Sequence, residues 1–111
     1  MPQNLDKDGL RSKINSYELF FIDIWGVIHN GLQIFEDSIE VLENLKKNNK
    51  EFVLLTNAPR PNSTVIDFLK KMGLKKFYEN GYTSGEASLK YLRENYLNAK
   101  FYHIGPPRDF D

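Results

Sequence analysis

The chain has 111 residues, 15 of them basic and 15 acidic, and no cysteine. That length holds one small domain, the balanced charge excludes a broad basic field for gripping nucleic acid, and the missing thiol excludes disulfide scaffolds, thiolate zinc sites and cysteine nucleophiles. Leu19–Ile22 is the longest apolar run and is far too short for a bilayer, and Met1–Leu10 lacks the apolar stretch of a secretory signal. The expectation is a packed cytoplasmic domain with neither nucleic-acid nor membrane partners.

Short apolar runs alternate with longer segments of helical period, the pattern of parallel βαβ units, so the expected class is α/β. Glu18–Ile24 (ELFFIDI) reads as a strand buried on both faces of a parallel sheet. Gly26 and Gly31 then break the chain into a turn-rich segment reaching Phe35. From Asp37 the spacing of Ile39, Leu42 and Leu45, widened by Val41, predicts a helix. Asp37 or Ser38 caps its start, and Lys46 and Lys47 favour its end.

Phe52–Thr56 reads as a second buried strand and Asn57–Arg60 as a loop. Pro61 suits the first position of the next helix, which carries Val65, Ile66, Leu69 and Met72 inward and stops at Gly73. Leu74–Tyr82 is ambiguous. Thr83 and Glu86 have the spacing of a capping box and open a helix through Tyr96, with Leu89 and Leu92 turned inward. Phe101–Ile104 is expected as the third strand, ended by Gly105-Pro106-Pro107.

Ligands of open α/β sheets bind outside the carboxyl ends of the strands. Asp23 and Thr56 fall there. A carboxylate after an apolar run is costly to bury unless paired or bound to a cation, and the following loops offer backbone N–H groups to an anion. A carboxylate, a hydroxyl and amide donors together can handle a phosphate and a divalent metal. The plainer alternatives are a helix-capping or lysine-paired Asp23, a β-branched strand end at Thr56 and a turn residue at Asn57.

FIDIWGVIHNG, then FVLLTNAPRP, then YTSGEA resembles the haloacid dehalogenase (HAD) superfamily of phosphohydrolases. The likeness is to its class IIA branch of NagD-type sugar and nucleotide phosphatases, from Tyr17 to Pro107. It implies a Rossmann-like core of parallel strands in three α/β/α layers, with motif I at 18–28 and motif II at 52–57. Residues 1–111 would then be the N-terminal half of such a core, ending near the start of a missing cap. Asp23 matches the nucleophile that becomes an aspartyl phosphate. Mg²⁺ in the family is held by that carboxylate and by the backbone carbonyl two residues on, here Trp25. Thr56 matches the motif II hydroxyl that binds the phosphoryl group, and Asn57 follows it. The implied reaction is Mg²⁺-dependent hydrolysis of a small phosphorylated metabolite.

Two features depart from the family pattern. Trp25 occupies the place of the second aspartate, the general acid and base, and indole cannot shuttle a proton; losing that help costs ~10²–10⁴ in rate. The motif III lysine and the motif IV acidic pair are expected beyond Asp111. A missing half-core leaves the long edge of the first strand exposed, an invitation to self-association. A catalytically silent fragment or partner-binding half-domain is therefore one rival reading. A phospho-accepting receiver domain is the other, and it lacks its acidic cluster here.

Among the remaining residues, His29 reads chiefly as a surface loop histidine, with a lesser reading as substrate ligand or substitute acid. His103 reads as packing. Arg60 is either a phosphate contact or solvated. The lysine pairs at 46/47, 70/71 and 75/76 read as solvated helix ends, and Ser84-Gly85 as a helix cap rather than a phosphate cradle.

Overall fold

A computed structural model describes residues 4–107. Its regular elements are β1 (Leu19–Asp23), α1 (Glu36–Lys47), β2 (Glu51–Thr56), α2 (Asn62–Lys71), β3 (Gly81–Thr83) and α3 (Ser84–Asn95). The strands form one parallel sheet in the order β1-β2-β3. Each connection therefore steps one strand over in the same direction. Right-handed crossovers then put α1 and α2 on the same face of the sheet.

The register shows how that face is filled. Phe20 sits beside Phe52 and Ile22 beside Leu54, and these side chains join Leu42 and Leu45 of α1 and Leu69 of α2 in one core. Ile24, Ile28 and Leu74 complete it, and Leu10 and Ile14 pack on from the N-terminal turns. Each fully buried aliphatic side chain contributes about 1.5–3 kcal/mol. The opposite face carries Leu19, Phe21, Asp23 and Leu55 in register with Glu51, Val53 and Tyr82. Phe21 is 68% exposed there. The expectation that the first strand is buried on both faces is thus corrected: with α1 and α2 on the same side, alternate residues of β1 are left open.

The α/β class and the parallel strands are as the sequence indicates, with one element misplaced. The third strand is Gly81–Thr83, spanning the end of the ambiguous segment and the expected helix cap, where it pairs with Leu54–Thr56. Phe101–Ile104 forms no strand; Tyr102 and Ile104 are almost fully exposed. An apolar run becomes a strand only where it joins the ladder of a neighbouring strand, and the sheet β1-β2-β3 does not include residues 101–104. Smaller corrections concern helix starts. α1 begins at Glu36 with no side-chain cap, because the Ser38 hydroxyl donates instead to the Val27 carbonyl. Pro61 stands at the N-cap of α2, one residue before the position expected.

β1 and β2 are also fastened where they begin. Lys50, only 8% exposed, extends its ammonium to Glu18 at 2.8 Å, and the Glu51 amide donates to the Glu18 carbonyl at 3.0 Å. The well-solvated carboxylate keeps this pair from being the costly kind of buried charge.

Candidate functional site

A cleft of about 590 Å³ opens at the carboxyl ends of the strands, on the uncovered face of the sheet. Phe21, Asp23, Leu55, Thr56, Asn57, Tyr82, Thr83, Ser84 and Ala87 line it. The register accounts for the grouping: Asp23 lies beside Leu55, Leu55 beside Tyr82, and Thr56 beside Thr83. Three sequence-predicted side chains, Asp23, Thr56 and Asn57, therefore share one wall-and-floor arrangement. Asp23 is exposed, and its Oδ1 accepts a hydrogen bond from the Ile24 amide at 2.8 Å. That bond fixes the carboxylate at the lip of the strand while water still reaches it.

Trp25 is not in the cleft lining. Its ring lies over Gly31, where a β-carbon would stand 2.5 Å from the Trp25 Cη2 atom. Gly31 has φ +89°, a conformation that side-chain-bearing residues rarely adopt. On its edge the indole meets His29 at 5.3 Å between ring centroids, and His29 in turn meets Phe68 at 5.5 Å. The Trp25 side chain is thus turned onto its own loop.

His29 is a correction. It is buried at 3% exposure rather than lying on the surface. Its Nδ1 accepts from the Gly31 amide at 2.9 Å, which assigns the proton to Nε2 in the neutral ring. Burial lowers its pKa below the ordinary 6.5. Its work is to hold the loop. Residue spacing alone gave no sign of this, because the aromatic partner Phe68 comes from α2.

The second loop, 57–61, is held from outside. Ser84 Oγ and the Gly85 amide both donate to the Ala58 carbonyl at 3.0 Å, and Thr83 Oγ1 donates to the Arg60 carbonyl. The Arg60 carbonyl is thus one of the groups by which α3 holds this loop. Thr83 also accepts from the Glu86 amide at 2.9 Å, the expected cap of α3. Tyr82, Thr83 and Ala87 are lining residues that the sequence reading missed. For Tyr82 and Thr83 the signal lay in the three-residue strand, too short to announce itself by period, whereas Ala87 comes from the first turn of α3.

A family model, haloacid dehalogenase-like hydrolase, matches residues 20–111. The chain belongs to that family. Among solved structures it is similar to a protein described as NagD (28% identity, TM-score 0.67), with 83% of this chain and 37% of that one covered. It is also similar to a haloacid dehalogenase-like hydrolase from Brucella suis 1330 (29% identity, TM-score 0.66), covering 86% of this chain and 35% of the other. A 4-nitrophenylphosphatase from Thermotoga maritima shares 28% identity at TM-score 0.63, over 75% of this chain and 32% of that one. The chain thus spans roughly a third of the length of the solved structures it resembles. A search among curated proteins finds no match.

The donor set bears on the metal that HAD hydrolases use. Mg²⁺ keeps several waters and takes one or two carboxylates together with substrate phosphate. Asp23 is suited as one such ligand. Among the described residues no group of three His, Cys, Asp or Glu side chains can hold a metal ion, and Asp23 is the one carboxylate among the residues that line the cleft. Among the same residues no helix is long and apolar enough to cross a membrane.

Proposed function

We propose that the whole protein is a phosphatase of the HAD type, acting on a small phosphomonoester through an aspartyl phosphate at Asp23. The observation that carries this reading is the convergence of Asp23, Thr56 and Asn57 on one cleft at the strand ends. The Asp23 carboxylate attacks phosphorus, forming an O–P bond as the bond from phosphorus to the leaving oxygen breaks. Thr56 and Asn57 hold the phosphoryl oxygens. Water then cleaves the acyl phosphate, releasing inorganic phosphate and restoring the carboxylate. Asp23 and the Trp25 carbonyl would hold Mg²⁺ in part, and the bound ion would supply charge neutralisation between carboxylate and phosphate dianion.

Trp25 supplies no proton, so the leaving oxygen is protonated by water or by a group outside the described residues. The reading therefore favours substrates with good leaving groups, whose departure needs little acid help. The test is hydrolysis of 4-nitrophenyl phosphate by the full-length protein with Mg²⁺. Asp23→Asn is expected to abolish turnover, and an acid-stable, hydroxylamine-labile phosphate on the wild-type chain should appear on quenching. Undiminished turnover in Asp23→Asn removes the assignment. Phosphate binding without turnover in the full-length protein would select a binding-only role instead.

A further inference from the structure

We propose that Gly85 and Glu86 are positioning residues for the loop that presents Thr56 and Asn57, an inference that rests on the phosphatase reading above. Loop 57–61 contains Pro59 and Pro61, which have no N–H to give, and none of its residues is buried. Its carbonyls at Ala58 and Arg60 are instead held by Ser84, Gly85 and Thr83, at the start of α3. The fit leaves no room for a side chain at position 85. A β-carbon there would lie 2.3 Å from the Arg60 nitrogen and 2.5 Å from its carbonyl oxygen. Real β-carbons do not come so close to backbone, so the loop or the helix start would have to move.

Glu86 completes the strap in an unexpected direction. In a reciprocal capping box the third helical residue returns its carboxylate to the N-cap amide of its own helix. Here the Thr83 amide goes to Asn62 Oδ1 at 2.9 Å, and Glu86 Oε2 accepts from the Asn62 amide, also at 2.9 Å. Asn62 opens α2, which has no side-chain cap from its own N-cap residue. The carboxylate thus satisfies an orphan amide at the positive end of a neighbouring helix. It pins the far end of loop 57–61, while the β2–β3 pairing at Thr56 and Thr83 pins the near end.

Two measurements on the full-length protein test this. The first is amide hydrogen exchange. Glu86→Ala should speed exchange in residues 57–62 by about tenfold, the scale of one lost charge-assisted hydrogen bond, while β1 and α1 keep their protection. Glu86→Gln, which keeps an acceptor oxygen, should restore protection. The second is kinetic, with 4-nitrophenyl phosphate at a temperature where every variant is folded. Glu86→Ala and Gly85→Ala should lower kcat by about tenfold with little change in KM, because a loosened loop misplaces donors that matter most in the transition state. A purely structural role would lower Tm without moving kcat. Unchanged exchange at 57–62 in Glu86→Ala overturns the strap, and local opening with unchanged kcat overturns the positioning role. If Asp23→Asn stays active, the phosphatase reading fails, and the exchange result still decides whether the strap exists.

Discussion

Between β1 and α1 the chain folds residues 24–35 into a loop with its own buried side chains, whereas residues 57–61 between β2 and α2 bury none. The first loop is a small core in itself. Ile24 and Ile28 enter the hydrophobic cluster, and the Ile24 carbonyl accepts from the Val27 and Ile28 amides at 3.2 and 2.8 Å. Gly26 donates to the His29 carbonyl at 2.7 Å, and Phe35 to that of Ile28 at 2.9 Å. The second loop borrows its hydrogen bonds from the start of α3. One loop is held by burial and local bonds, the other by a neighbour. Damage to the first should therefore register as stability, and damage around the second as position.

The largest effect expected from this contrast is at Ile28, which is 1% exposed. Ile28→Ala removes buried methyl groups and leaves a cavity, so it should cost about 3 kcal/mol in urea denaturation. Pro59→Ala, on the exposed second loop, should cost about 0.5 kcal/mol, chiefly by freeing the unfolded chain. Comparable losses at the two positions would erase the distinction between the loops.

Gly31→Ala comes next. The new methyl group meets the Trp25 ring at 2.5 Å and forces a side chain into φ +89°. The expected loss is about 1–2 kcal/mol, from left-handed backbone strain and a displaced indole. Trp25 is the sole tryptophan of the chain, so its fluorescence reports the change directly. Because the ring is already 64% exposed, emission should move only slightly to longer wavelength, and its intensity should change as the indole leaves Gly31 and His29. An unmoved spectrum with unmoved stability would show that the ring does not depend on that glycine.

The same contrast explains what was legible in the sequence. That Asp23, Thr56 and Asn57 share one cleft was legible because parallel pairing brings the ends of successive strands together without further instruction. β1, β2 and the helices followed from apolar period, within a residue or two at their starts. β3 escaped because three residues, one of them glycine, carry no period, and its pairing with β2 is a non-local fact. Phe101–Ile104 misled for the converse reason: its composition suits a strand, but composition cannot supply a partner. His29 was misjudged because its burial comes from Trp25 on one side and Phe68 of α2 on the other. The Thr83–Glu86 spacing did predict a helix start, yet the destination of the Glu86 carboxylate could be known only once α2 was in place.

The smallest expected effect concerns acid, and it too separates the loops, because only the first contains a buried titratable ring. Burial holds the His29 pKa below 6.5, and protonation would turn Nδ1 from an acceptor for the Gly31 amide into a donor facing it. The unfolded chain, with histidine at its ordinary value, therefore binds more protons than the native one in the interval between the two pKa values. Stability contributed by neutral His29 is complete above pH ~6.5 and is lost as the pH falls through that interval. Glu43, lowered by its hydrogen bond with Lys76, changes stability in the same direction, but in the carboxylate range at lower pH. Urea midpoints measured from about pH 7 to 5.5 should therefore isolate the histidine. His29→Phe keeps a ring between Trp25 and Phe68 and removes the titration, so its midpoint should be flatter over that window. A wild-type slope that survives in His29→Phe would place the acid sensitivity elsewhere and leave the first loop held by packing alone.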